Sequence, residues 1–174
     1  LLKGKVHVMY KTIIHTISFF RGSVPGVDNK KFKEIILKNP KPVEKDTEHD
    51  RYILTRHEDT QFPMNKEFEK ILNHINGQFR YLHNKKLKLM LFWSHIHEKN
   101  MSTVVHNHLN QDDYEGNIYI SGVYYVQVPE KSGHLVLRYP YNSHVTHQFP
   151  VMPKAGEFFL FPSPMDHYVT RNLS

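Results

Sequence analysis

A chain of 174 residues and 20.7 kDa has the size of one ordinary domain, and with 39% hydrophobic and 13% aromatic residues it is too apolar to be disordered. The absence of cysteine excludes disulfide frameworks, thiolate metal sites and cysteine nucleophiles together, and fits a reducing, cytoplasmic setting. The formal charge of +6 is uneven: residues 1–99 carry 19 basic and 11 acidic side chains against 4 and 6 in residues 100–174, so any attraction to phosphate belongs to the N-terminal half.

In chain order, residues 5–20 are rich in Val, Ile, Thr, Tyr and Phe and read as one or two strands. The apolar run from Val6 to Phe20 is broken by His7, Lys11 and His15, so it is neither a membrane span nor a signal peptide core. Arg21–Gly26 reads as a turn. Asp28 then caps a helix carrying Phe32, Ile35 and Ile36, which Asn39-Pro40 stops. After a polar stretch with a short strand at Tyr52-Ile53-Leu54 comes a clearer helix. Phe68, Ile71, Leu72, Ile75, Phe79 and Leu82 form one apolar stripe along it, facing the core.

From Leu87 the pattern changes to short runs of branched and aromatic residues. Leu87–His97, Val104–His108, Ile118–Val128, His134–Arg138 and Phe158–Phe161 read as strands, separated by turn-forming segments such as Pro129–Gly133, Tyr139–Asn142 and Pro153–Gly156. Helices succeeded by many short strands predict an α+β domain. Residues 1–86 would supply a strand and helix layer, and residues 87–174 a β-sandwich or jelly roll.

The 14 histidines are the unusual feature, since imidazole is the commonest metal ligand. In Val104-Val105-His106-Asn107-His108, a strand would place both imidazoles on one face, as a chelating pair requires. Ser94-His95-Ile96-His97 has the same spacing, and His144 and His147 form a loop pair. The pair at 106 and 108 is preferred because of the segments downstream of it in the chain. These are Ser121–Pro129 with Tyr124-Tyr125, then Gly133–Leu137, then Pro153–Ser163 with Phe158-Phe159-Leu160-Phe161-Pro162-Ser163, and finally His167-Tyr168-Val169.

This ordered set resembles the 2-oxoglutarate and iron(II)-dependent oxygenase superfamily, in its prolyl-hydroxylase-like branch and a group of bacterial and phage oxygenases, over residues 87–172. The resemblance implies a double-stranded β-helix with the N-terminal helices packed on one sheet. It implies iron(II) as the metal, 2-oxoglutarate as cosubstrate, His106 and His167 as ligands, and Tyr125 as a contact of the distal 2-oxoglutarate carboxylate. The reaction implied is hydroxylation of a C–H bond, with the cosubstrate oxidised to succinate and CO2, and Trp93, Phe159 and Phe161 as pocket walls. The family's carboxylate position holds His108, giving a three-histidine set unless Asp112, Asp113 or Glu115 supplies a carboxylate. The family's basic residue lies nine or ten positions beyond the distal histidine. Arg171, only four beyond His167, is the nearest cation before Ser174, and the expected residue can lie past Ser174, the chain then being cut short at its C-terminus.

Two other readings compete. His106-x-His108 with Glu115 and, after six intervening residues, Gly122 resembles the first cupin motif, a metal site that uses no keto acid. A non-catalytic binding module would use the basic N-terminal half, yet no aromatic-interleaved basic stripe or nucleic-acid motif accompanies it. A G-x-S-x-G elbow and a Walker loop are both missing from the sequence. The substrate, whether a protein side chain or a small molecule, is not legible in these residues.

Overall fold

The computed structural model describes residues 17–38, 52–56, 64–90, 92–108, 120–140 and 145–174, with the backbone alone for 52–56. The strands expected before residue 17, His144, and the acidic candidates Asp112, Asp113 and Glu115 lie outside the described residues.

The elements run β1 (Phe20–Ser23), α1 (Asn29–Lys38), β2 (Tyr52–Arg56), α2 (Lys66–His83), β3 (Trp93–Ile96), β4 (Ile120–Tyr124), β5 (Leu135–Pro140), β6 (Thr146–Val151), β7 (Glu157–Pro162) and β8 (Asp166–Val169). Helices and antiparallel strands are thus mixed along the chain. The strands form a sheet in the order β1-β7-β4, a second in the order β6-β5-β8, and a β2-β3 pair. None of the described helices is long and apolar enough to cross a membrane.

Both helices begin where their sequences place a cap. The Asp28 carboxylate accepts the Lys31 N–H at 3.0 Å, and the Asn65 side chain accepts the N–H groups of Glu67 and Phe68. Acidic Glu67 and Glu69 lie in the first turn of α2, Arg80 and His83 in the last, matching the helix dipole. Asn84 ends it in the left-handed conformation. Glu67 joins the two helices: it is buried, accepts the Asp28 N–H at 2.9 Å and pairs with Lys70 at 2.8 Å. The apolar stripe is shorter than its periodicity predicts. Ile71 is buried, but Leu82 is 58% exposed, because in the last turn His83 rather than Leu82 follows Phe79 onto the Phe20 ring.

Two apolar clusters hold the layers together. One packs Phe32 and Ile36 of α1 and Ile71 of α2 against Phe158 and Leu160 of β7. The other lies between the two three-stranded sheets and joins Phe159 and Phe161 of β7 to Leu135 and Leu137 of β5 and Val151 of β6. Strand β7 alternates its side chains between the two clusters, which is why Glu157–Pro162 reads as a continuous apolar run. Its helix-facing residues need space beside them. Gly22 of β1 pairs with Phe158 and Gly122 of β4 with Leu160. A Cβ at either glycine would come within 2.9 Å of the Phe158 ring or 2.5 Å of the Leu160 side chain.

Three sequence expectations change here. Arg21-Gly22-Ser23 belongs to β1, because pairing with Glu157–Phe159 outweighs turn propensity, and the turn is confined to Pro25-Gly26. Tyr139 and Pro140 continue β5, paired with His147 and Thr146. Val104–His108 is not a strand: His106 alone forms an isolated bridge, with His167. Strands β6 and β8 were not anticipated. The first carries Pro150 and is mostly exposed, and the second is only four residues long.

Candidate metal centre

The side chains of His106, His108 and His167 converge. One ligand nitrogen from each lies within 4.8 Å of the others, the only such group of three among the described residues. The ring centroids are 4.3 Å apart for His106–His167, 4.8 Å for His108–His167 and 5.2 Å for His106–His108. His167 is buried; the other two are half-buried.

What brings them together is main-chain hydrogen bonding alongside β8. Asn100 and Met101 bond Asn172, Thr103 bonds Val169, and His106 and His167 exchange two bonds of 2.9 and 2.8 Å. The segment therefore runs antiparallel to β8 without forming a regular ladder. Further along, the His108 N–H donates to the Ser163 carbonyl at 3.1 Å, which carries the third imidazole over the β7–β8 turn. Between the two ligands, the Asn107 amide reaches Asp166, itself beside His167, at 3.1 Å. Buried Asn172 adds a bond from its amide to the His97 carbonyl at 2.8 Å. Asp166 and Asn172 carry no spacing signal and escape sequence reading, which gives Asn107 and Ser163 only as members of their motifs, without a role of their own.

The hydrogen bonds also settle the tautomer of two of the rings. His106 Nδ1 is 2.9 Å from the Val104 carbonyl and His167 Nδ1 is 2.9 Å from the Met165 carbonyl. A carbonyl only accepts, so in each neutral ring Nδ1 carries the proton and Nε2 keeps its lone pair. This is the arrangement by which proteins orient metal-binding histidines. The donor set fits a divalent transition metal, and three neutral ligands leave such an ion its full charge to be met by other, anionic ligands.

Aromatic rings flank the triad. Trp93 packs against His108 at 5.2 Å and Phe161 against His167 at 4.9 Å, both nearly edge-on. Phe159 is buried in the inter-sheet cluster. The alternative pair, His95 and His97, has ring centroids 6.2 Å apart, and the Trp93 indole N–H donates to His95 Nε2.

Tyr125 comes directly after β4, its main chain bonded to Gly156 and Glu157. Tyr124 reaches the helix layer, its hydroxyl bonding Asn29 at 2.7 Å, so its neighbours Val123 and Tyr125 face the other way, between the sheets. The Tyr125 hydroxyl is buried and has no hydrogen-bond partner among the described residues. Burial pushes it up to about 12, opposed weakly by Arg21. Arg21 is engaged by Glu157 at 2.7 Å and by the Met152 carbonyl at 2.9 Å. Arg171 is exposed, four residues beyond His167.

Neither a protein-family model nor a curated protein matches the chain. Among solved structures it is similar to the crystal structure of a Pseudomonas putida prolyl-4-hydroxylase, at 18% identity, covering 91% of this chain and 88% of that one, with a TM-score of 0.62. The likeness is one of fold.

Proposed function

We propose that this protein is an iron(II)- and 2-oxoglutarate-dependent oxygenase whose metal is held by His106, His108 and His167. The observation that carries the reading is the convergence of three imidazoles, from two separate chain segments, within 4.8 Å. The fold-level likeness to a prolyl-4-hydroxylase agrees with it, as does the interior between two antiparallel sheets, which would belong to a double-stranded β-helix.

Iron held there would supply the oxygen chemistry, and the chain's own residues do the rest. His106 and His167 present Nε2 because their Nδ1 protons are tied to carbonyls. His108, in place of a carboxylate, leaves the site more positive and so more dependent on a chelating anion such as 2-oxoglutarate. Tyr125 offers a buried, unused O–H to an oxygen of that molecule. Trp93 and Phe161 shield the triad from water. The substrate is a protein side chain or a small molecule.

The test is to load the protein with iron(II) and monitor 2-oxoglutarate under oxygen. Decay to succinate that is lost in His167→Ala supports the reading. A protein that binds the metal but neither binds nor consumes 2-oxoglutarate overturns the oxygenase assignment while leaving the metal site standing.

A further inference from the structure

Ser121 and Ser163 form a hydroxyl pair between β4 and the β7–β8 turn that leads to His167. Ser121 Oγ lies 2.9 Å from Ser163 Oγ, and Ser163 is 4% exposed. Val123 packs in the inter-sheet cluster and Tyr124 faces the helices, so Ser121, two residues before Val123, points between the sheets. It is paired in register with Phe161, whose ring lies 4.9 Å from His167. Ser163 accepts the His108 N–H through its carbonyl. The pair is thus tied to the triad at two points, through the Ser163 main chain to the main chain of His108 and through Phe161, the cross-strand partner of Ser121, to the ring of His167.

Their proton count is the informative part. Two hydroxyls carry two O–H donors, and the bond between them uses one, whichever serine donates. The pair makes no other side-chain hydrogen bond among the described residues. Among the described residues one donor is thus left over, on a pair of which Ser163 is buried and Ser121 half-buried, and a polar group held there calls for a partner. A site of three neutral imidazoles requires anionic ligands on its metal, and a spare O–H on a pair tied to it matches an anionic oxygen.

We propose that the Ser121–Ser163 pair donates this remaining O–H to an oxygen of the carboxylate-bearing molecule that chelates the metal, making the two serines ligand-positioning residues. The inference rests on the metal-centre reading. The pair acts as a unit: Ser163 is fixed by the β7–β8 turn, and Ser121 sets which way the hydroxyls point.

The test uses cobalt(II) in the metal site and oxalate as the probe, a chelating dicarboxylate too short to extend far from the metal. The visible cobalt(II) bands report both affinities without turnover. In Ser121→Ala, oxalate affinity should fall about tenfold with cobalt(II) affinity and thermal midpoint unchanged. Ser121→Thr should restore it, and Ser121→Ala/Ser163→Ala should lose no more than about the single variant. Unchanged oxalate affinity in Ser121→Ala overturns the inference and leaves the metal centre intact. Parallel losses of cobalt(II) and oxalate affinity also overturn it, reducing the pair to a structural brace. A wild-type chain that takes up no cobalt(II) overturns the metal reading and this inference with it.

Discussion

The Nε2 atoms of His108 and His167 lie 3.1 Å apart. At that distance one ring can hydrogen-bond the other, with the donor set by the tautomer, and both nitrogens are also close enough to reach a single ion. One equivalent of divalent metal should therefore bind, and His167→Ala or His108→Ala should each weaken binding by about 100-fold or more. A titration with cobalt(II) measures this. Undiminished affinity in both variants would place the metal elsewhere.

Asp166 and Asn107 tie the two ligand-bearing segments together through their side chains. Asp166→Ala should lower metal affinity by about tenfold, the lower end of what outer-shell substitutions cost. Asp166→Asn, which keeps an acceptor oxygen, should recover most of the loss. Equal affinities for both variants would mean that the backbone bonds alone position His108.

The Tyr125 hydroxyl is buried without a partner among the described residues. Tyr125→Phe should leave the metal-free protein as stable as wild type or more so by about 1 kcal/mol, because an unmet desolvation cost is removed. The same change should weaken 2-oxoglutarate binding to the metal-loaded protein. Calorimetric titration separates the two effects, and a loss of stability with unchanged cosubstrate affinity would contradict the role given to this side chain.

Glu67 and Glu157 are both held below the ordinary carboxylate value of 4.5, the first mainly by the Lys70 hydrogen bond and the second mainly by Arg21. A depressed folded-state value means that the unfolded chain takes up protons first. Their contribution is complete above the unfolded value and is lost as pH falls through the lower folded values. Acid unfolding below about pH 4.5 should be shallower in Glu67→Gln and Glu157→Gln than in wild type, as chemical denaturation at a series of pH values would show. Identical slopes would refute it.

Leu137 is 1% exposed at the centre of the inter-sheet cluster, and Leu82 is 58% exposed on the last turn of α2. Leu137→Ala should cost about 2–5 kcal/mol and Leu82→Ala within about 0.5 kcal/mol, measured by urea unfolding. Similar costs would show that the periodic stripe on α2 is buried to its end after all.

Much of the scaffold was legible because its signals are local. The 3.6-residue spacing of Phe68, Ile71 and Ile75 and the cap at Asp28 report α2 and α1 from a few neighbouring residues. The alternating and continuous apolar runs locate β4, β5 and β7 in the same way. Strands β6 and β8 escaped because an exposed edge strand and a four-residue strand leave almost no apolar pattern.

The sequence by itself named three histidines, at 106, 108 and 167, through an ordered run of motifs. Only the tertiary structure decided that they meet, that two of them carry their proton on Nδ1, that Asn107 is tied to Asp166, and that Ser121 is tied to Ser163. The reason is physical. Convergence depends on main-chain bonds between residues about 60 positions apart, such as His106 with His167, and no spacing within one segment encodes a bond to another. The expected strand at Val104–His108 shows the same limit: its ligands face one site because β8 holds them there, not because the segment forms a strand of its own.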